Sequence, residues 1–136
     1  MPDQTTDSNT PLVLVVDDFQ DNREMFAEFL SISGFRVAEA SNGREAVDTA
    51  TALRPDLILM DVSLPEMDGY QATKLLKADE RTRSIPIVAL TGHAVSGVSE
   101  EARAAGCAGV ITKPCPPDFL VAEVRRILAA RPTGNP

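Results

Sequence analysis

Short apolar runs alternate along the chain with stretches in which apolar side chains recur at helical spacing. The runs are Leu12–Val16, Phe35–Ala38, Asp56–Met60, Pro86–Leu90 and Gly109–Thr112. Several are nearly continuous in Val, Leu and Ile, the composition of strands buried on both faces, as in a parallel sheet. Between them, Met25, Phe26, Phe29 and Leu30 form a stripe at i, i+1, i+4, i+5. Ala46, Val47 and Ala50 form a second stripe behind Asn42, with Glu45 three residues on in a capping-box arrangement. Asp68 is placed to cap a third helix carrying Ala72, Leu75 and Leu76. A fourth helix, around Ser96–Ala105, is rich in small residues and ends at Gly106, a suitable residue just past a helix end. A fifth carries Leu120, Val124, Ile127 and Leu128.

The pattern is five βα units. Parallel strands joined by right-handed crossovers place helices on both faces of the sheet, which gives an α/β, doubly wound, three-layer domain. In such sheets the chemistry gathers beyond the carboxyl ends of the strands, near the switch in strand order.

Length and composition fit this picture. The 136 residues suffice for one domain, with 43% apolar and 24% charged side chains. Residues 1–10 lack apolar periodicity and read as a disordered lead; 11–131 read as the domain and 132–136 as a flexible tail. No apolar run approaches the ~20 residues of a membrane span, and the polar N-terminus has no signal core. Twenty acids against thirteen bases give a formal charge of −7. That balance argues against nucleic acid and anionic membranes as partners, because both select Lys and Arg. Cys107 and Cys115 read as free thiols in a reducing cytoplasm. The lone His93 cannot build a His-rich metal site.

The strand ends carry the unusual residues. The first strand ends in Asp17-Asp18, the third in Asp61, the fourth in Thr91 and the fifth in Lys113-Pro114. Taken singly, each has an ordinary explanation as a helix cap or a loop charge. Their joint placement at four strand ends is different. Three carboxylates on one edge repel one another, which raises their pKa values or demands a cation. An oxygen-only ligand set suits a hard divalent ion, and Mg2+ is the natural choice.

These residues bring out a resemblance. The chain is similar to bacterial two-component response-regulator receiver domains of the single-domain, chemotaxis-regulator-like type, from about Leu12 to Ala130. The motifs are Asp17-Asp18, Asp56-Leu57-Ile58-Leu59-Met60-Asp61, Leu64-Pro65-Glu66-Met67-Asp68-Gly69, Ala89-Leu90-Thr91 and Lys113-Pro114. The resemblance implies the flavodoxin-like strand order 2-1-3-4-5 and a role for each residue. Asp61 would be the phosphoacceptor. Asp17 and Asp18 would bind Mg2+ together with Asp61 and the backbone carbonyl of Ser63. Thr91 would hydrogen-bond the phosphoryl group, and Lys113 would pair with a phosphoryl oxygen, or with Asp61 before phosphorylation. The Lys113–Pro114 bond would be cis. Such a domain takes its phosphoryl group from a sensor histidine kinase or a histidine phosphotransfer protein and then changes its affinity for a downstream protein target. The face formed by the fourth helix, fifth strand and fifth helix would do this work, in the cytoplasm.

Elementary chemistry agrees with that assignment. A carboxylate attacks phosphorus to form an acyl phosphate. Phosphoryl transfer needs positioning and charge neutralisation, which a cation and Lys113 supply. Such a domain phosphorylates and dephosphorylates itself but turns over no other substrate. Pro65 and Gly69 read as loop punctuation that shapes the pocket rim.

One position departs from the pattern. Receivers commonly carry Tyr or Phe three residues before the Lys, and here Val110 stands there. Val is stiff at χ1 and cannot make the swing of an aromatic ring. Movement of the segment Thr91–Val98 and of the following helix is the expected substitute. Ser63 and His93, each two residues beyond a site residue, would flank the path of the hydrolytic water and tune the lifetime of the acyl phosphate.

Other classes fit less well. A flavodoxin needs a Ser/Thr/Gly-rich phosphate loop after the first strand, where this chain has two acids. An aspartyl phosphatase places a second acid two residues after its nucleophile, where this chain has Ser63. A module that is never phosphorylated has no need of the intact acid triad, Thr91 and Lys113. No output segment follows the fifth helix, so the chain reads as a stand-alone regulator or an excised piece of a larger protein.

Overall fold

A computed structural model describes residues 10–62, 64, 67–92 and 96–130, with side chains from 100 onward in the last stretch. Five strands, β1 (Leu12–Val16), β2 (Arg36–Ala40), β3 (Leu57–Asp61), β4 (Ile87–Thr91) and β5 (Gly109–Thr112), alternate with five helices. The helices are α1 (Gln20–Ile32), α2 (Gly43–Leu53), α3 (Gly69–Ala78), α4 (Ser96–Ala105) and α5 (Pro117–Ala130). All strands are parallel, in the order β2-β1-β3-β4-β5. The doubly wound α/β fold expected from the alternation is therefore the fold observed. Three strands sit one or two residues later than the apolar runs suggest, so Asp61 and Thr91 are the last residues of their strands.

The sheet buries both faces, and each strand splits its side chains between them with period two. Val13, Val15, Leu57, Leu59, Val88 and Leu90 meet α1 and α5 through Phe26, Leu30, Leu120, Val124 and Ile127. Leu14, Val16, Ile58, Met60 and Ile87 face α2 and α3 through Ala46, Ala50, Ala72 and Leu76. A smaller cluster of Tyr70, Ala89, Ala102 and Ala105 seats α4, with Val62, Cys107 and Val110 at its margin. Full burial of one Leu or Ile contributes roughly 1.5–3 kcal/mol, so these layers dominate the stability.

Helix ends follow local chemistry. The Asn42 side chain accepts from the Glu45 N–H at 2.8 Å. The return contact of this cap is displaced by one residue, because Glu45 Oε1 accepts from the N–H and hydroxyl of Ser41 rather than from Asn42. Asp68 and Gln71 form the complete reciprocal box at the start of α3. Gly106 closes α4 at φ +107°, with Cys107 N–H donating to Ala102 C=O. The α1 stripe is narrower than its spacing implies. Phe26, Ala27 and Leu30 are buried, whereas Met25 and Phe29 lie one position round the helix and remain exposed, as does Leu75 on α3. Thr10, at the end of the polar lead, accepts a hydrogen bond from Arg36 Nε through its carbonyl. Both cysteines are free thiols.

Candidate functional site

The carboxyl ends of β1, β3, β4 and β5 meet at one edge, and short backbone bonds fix them there. Asp17 N–H donates to Ala40 C=O, Val62 N–H to Leu90 C=O, and Lys113 N–H to Thr91 C=O at 2.7 Å. Asp17, Asp61 and Thr91 are all buried, while Asp18 is exposed at the rim. Lys113 Nζ lies 3.2 Å from Asp61 Oδ2 and 3.7 Å from Asp17 Oδ2. Its bond to Pro114 is cis.

Asp17 is the least comfortable of these groups. Its Oδ1 accepts the Phe19 N–H at 2.9 Å. Its Oδ2 is buried, has no hydrogen-bond donor among the described residues, and lies in a longer ion pair with Lys113. Burial pushes the carboxyl above its ordinary range, the Phe19 N–H and the Lys113 ammonium pull it back, and neighbouring Asp61 pushes it up again. An orphaned buried carboxylate oxygen is costly unless something charged meets it. Asp17, Asp18 and Asp61 each present a carboxylate oxygen, all within 4.8 Å of one another. Three acids and one ammonium leave two negative charges, which a single divalent cation balances. The donors are hard oxygens throughout, so the residues present fit Mg2+.

The structure thus brings together Asp17, Asp18, Asp61 and Lys113, with Thr91 at the adjoining strand end. Ser63, Pro65, His93 and most of the loop after Thr91 lie outside the described residues. Val110 sits half-buried on β5, beside the α4 seat.

Tyr70 and Arg23 escape sequence reasoning, and Gly69, read from the sequence as loop punctuation, does more than that. Gly69 brings the start of α3 against the end of β3; a Cβ there would lie 2.8 Å from Val62 Cα and closer still to the Asp61 carbonyl oxygen. Gly69 therefore fixes where α3 meets the end of the Asp61 strand. Tyr70, next in the chain, is the large ring in the α4 seat. Arg23, from α1, donates from Nη1 to the Asp17 carbonyl oxygen at 2.9 Å and from Nε to Glu39 Oε1 at 3.0 Å. Its only sequence signal is position, one helical turn beyond the acid pair.

Comparison with known proteins agrees with this geometry. The family model of the response regulator receiver domain matches residues 13–125. The polar-differentiation response regulator DivK of Brucella anthropi is 43% identical over 102 residues, spanning 75% of this chain and 83% of that protein. The chemotaxis protein CheY4 of Vibrio cholerae superposes with a TM-score of 0.84 at 32% identity, covering 87% of this chain and 98% of that one. The receiver domain of the sensor histidine kinase PA1611 from Pseudomonas aeruginosa, whose structure has a magnesium ion coordinated in its active-site cleft, superposes at 0.77 with 37% identity. That match covers 90% of this chain and 97% of the other.

Proposed function

Because the chain belongs to the response-regulator receiver family, we propose that Asp61 accepts a phosphoryl group from a sensor histidine kinase or a histidine phosphotransfer protein. The modification then switches which downstream protein the chain binds. The observation that carries this reading is the buried Asp61 carboxylate, 3.2 Å from Lys113 Nζ and clustered with Asp17 and Asp18.

Each residue has a task in the transfer. An Asp61 oxygen attacks phosphorus while the bond from phosphorus to the donor histidine nitrogen breaks. The imidazole leaves with that electron pair and takes up a proton, and Asp61 becomes an acyl phosphate. Asp17, Asp18 and Asp61, with the Ser63 carbonyl, would hold Mg2+, which when bound supplies positive charge to the phosphoryl oxygens. Lys113 exchanges its Asp61 partner for a phosphoryl oxygen, and Thr91 donates its hydroxyl to another. The pocket gains about −1.5 to −2 charge and biases a pre-existing equilibrium. Apart from gaining and losing this group, the chain turns over no substrate.

The responding face is the one made by α4, β5 and α5. Open cavities flank β5 on both sides, about 300 Å3 toward α4 and about 420 Å3 toward α5, where half-exposed Phe119 stands at the margin. No helix of the described residues is long and apolar enough to cross a membrane. The acid excess supports protein partners over nucleic acid or an anionic membrane surface, and the phosphotransfer reading places the chain in the cytoplasm.

The decisive experiment is labelling with a small phosphodonor in the presence of Mg2+. Wild type takes the label, and Asp61→Asn takes none. Equal labelling of both chains would place the acceptor elsewhere and sink the proposal.

A further inference from the structure

Asp18 is the exposed member of the acid cluster, and no side-chain contact holds it among the described residues. Its position depends on the backbone that carries it, and one side chain grips that backbone. Arg23 donates from Nη1 to the carbonyl oxygen of Asp17, the peptide unit that leads into Asp18. The same guanidinium donates from Nε to Glu39 on the neighbouring strand β2, at 3.0 Å. With Asp17 N–H bound to Ala40 C=O and Phe19 N–H bound to Asp17 Oδ1, Arg23 completes a set of bonds around the Asp17 main chain. The Arg23 side chain is 16% exposed, unlike the Arg81 and Arg126 side chains of the surface pairs at 56% and 64%.

We propose that Arg23 is a positioning residue for the metal pocket: its fork locks the Asp17–Asp18 peptide so that both carboxylates present oxygens to one Mg2+. This rests on reading Asp17, Asp18 and Asp61 as the Mg2+ site. Glu39 is the necessary companion. A bare guanidinium beside three acids repels an incoming cation, and the Glu39 carboxylate cancels that charge while anchoring the other side of the fork. Charge and geometry therefore predict opposite outcomes when Arg23 is removed. Loss of a nearby positive charge strengthens Mg2+ binding; loss of a clamp weakens it. Lys is no substitute, because an ammonium carries the charge without the planar fork that reaches carbonyl and carboxylate together.

The test is calorimetric titration of Mg2+ into the full chain, well below each variant's thermal midpoint. Arg23→Ala and Arg23→Lys are expected to bind Mg2+ about tenfold more weakly than wild type, the lower end of what supporting partners of metal ligands deliver. Glu39→Gln, which keeps an acceptor but uncovers the guanidinium charge, also weakens binding, by a smaller factor. Wild-type or tighter affinity in Arg23→Ala overturns the clamp, whatever happens to its thermal midpoint. If Arg23→Ala does not fold, Arg23→Lys decides, and wild-type affinity there overturns the clamp equally. A wild-type chain that takes up no Mg2+ overturns instead the metal reading on which the clamp rests.

Discussion

Helices α1 and α5 meet the sheet through Phe26, Leu30, Leu120, Val124 and Ile127, whereas α4 meets it through Ala102 and Ala105, with Tyr70 of α3 as the one large ring nearby. A cavity of about 300 Å3 opens between α4 and β5, lined in part by Ala102, Cys107 and Val110. Burial free energy scales with apolar area, so moving α4 forfeits far less than moving α1 or α5. Mobile elements come from the weakly held parts of a fold. Both coats cover the same sheet and end near the same acid pocket. The α1 coat delivers Arg23 to that pocket and has to stay in place, while the α4 coat borders the face proposed to change. With half-buried Val110, and no large ring on β5, at the margin of that seat, the light seating of α4 is the feature best suited to the proposed switch.

The contrast can be broken most directly in the heavy coat. Phe26→Ala is expected to lower stability by about 3–5 kcal/mol, read from the urea midpoint at unchanged slope. A loss below about 1 kcal/mol would mean that the heavy coat collapses without cost and that the two coats do not differ. In the light coat, Ala102→Gly removes a single buried methyl group and one good helix residue, for about 1 kcal/mol in the same assay. A loss as large as that of Phe26→Ala would show α4 to be held as firmly as α1.

The smallest effect concerns charge at the far end of α3, where Arg81 and Asp79 form a surface ion pair. Hydrogen bonds from the Arg81 side chain and N–H hold the Asp79 carboxyl down to about 2. A depressed folded value contributes stability above the ordinary carboxylate range and loses it as pH falls toward about 2. Both partners are solvent-exposed, so the contribution is small. Carboxyl titration by NMR should find Asp79 near that value, and Arg81→Ala should return it to the ordinary range with hardly any change in thermal midpoint. A large drop in midpoint would show that charge, and not burial, secures this side of the domain.

Much of the molecule is legible from residues close together in the chain. The alternation of apolar runs with helical stripes yields five βα units, and the caps at Asn42, Asp68 and Gly106 stand where their side chains or backbone freedom place them. Asp17, Asp61, Thr91 and Lys113 stand out because each closes or follows a strand. Other features resist such reading. Met25 and Phe29 belong to the same stripe as Phe26 and Leu30, and spacing alone does not say which pair faces the sheet. Arg54 ends α2 in a left-handed turn at φ 50°, a place where a glycine would have been the usual signal.

Local pattern along the chain sets the order and kind of the elements and the identity of the residues at their ends. Periodicity, capping and strand composition act over a few residues and need no partner from elsewhere. Long-range packing supplied the rest. It placed Lys113 against Asp61, fifty-two residues away, and Arg23 against Glu39, sixteen away. It made Gly69 indispensable by pressing α3 onto the Asp61 backbone. It buried Asp17 Oδ2 with no hydrogen-bond donor among the described residues, beside the carboxylates of Asp18 and Asp61. These depend on strand register and helix docking, which fix distances between residues that no local pattern connects.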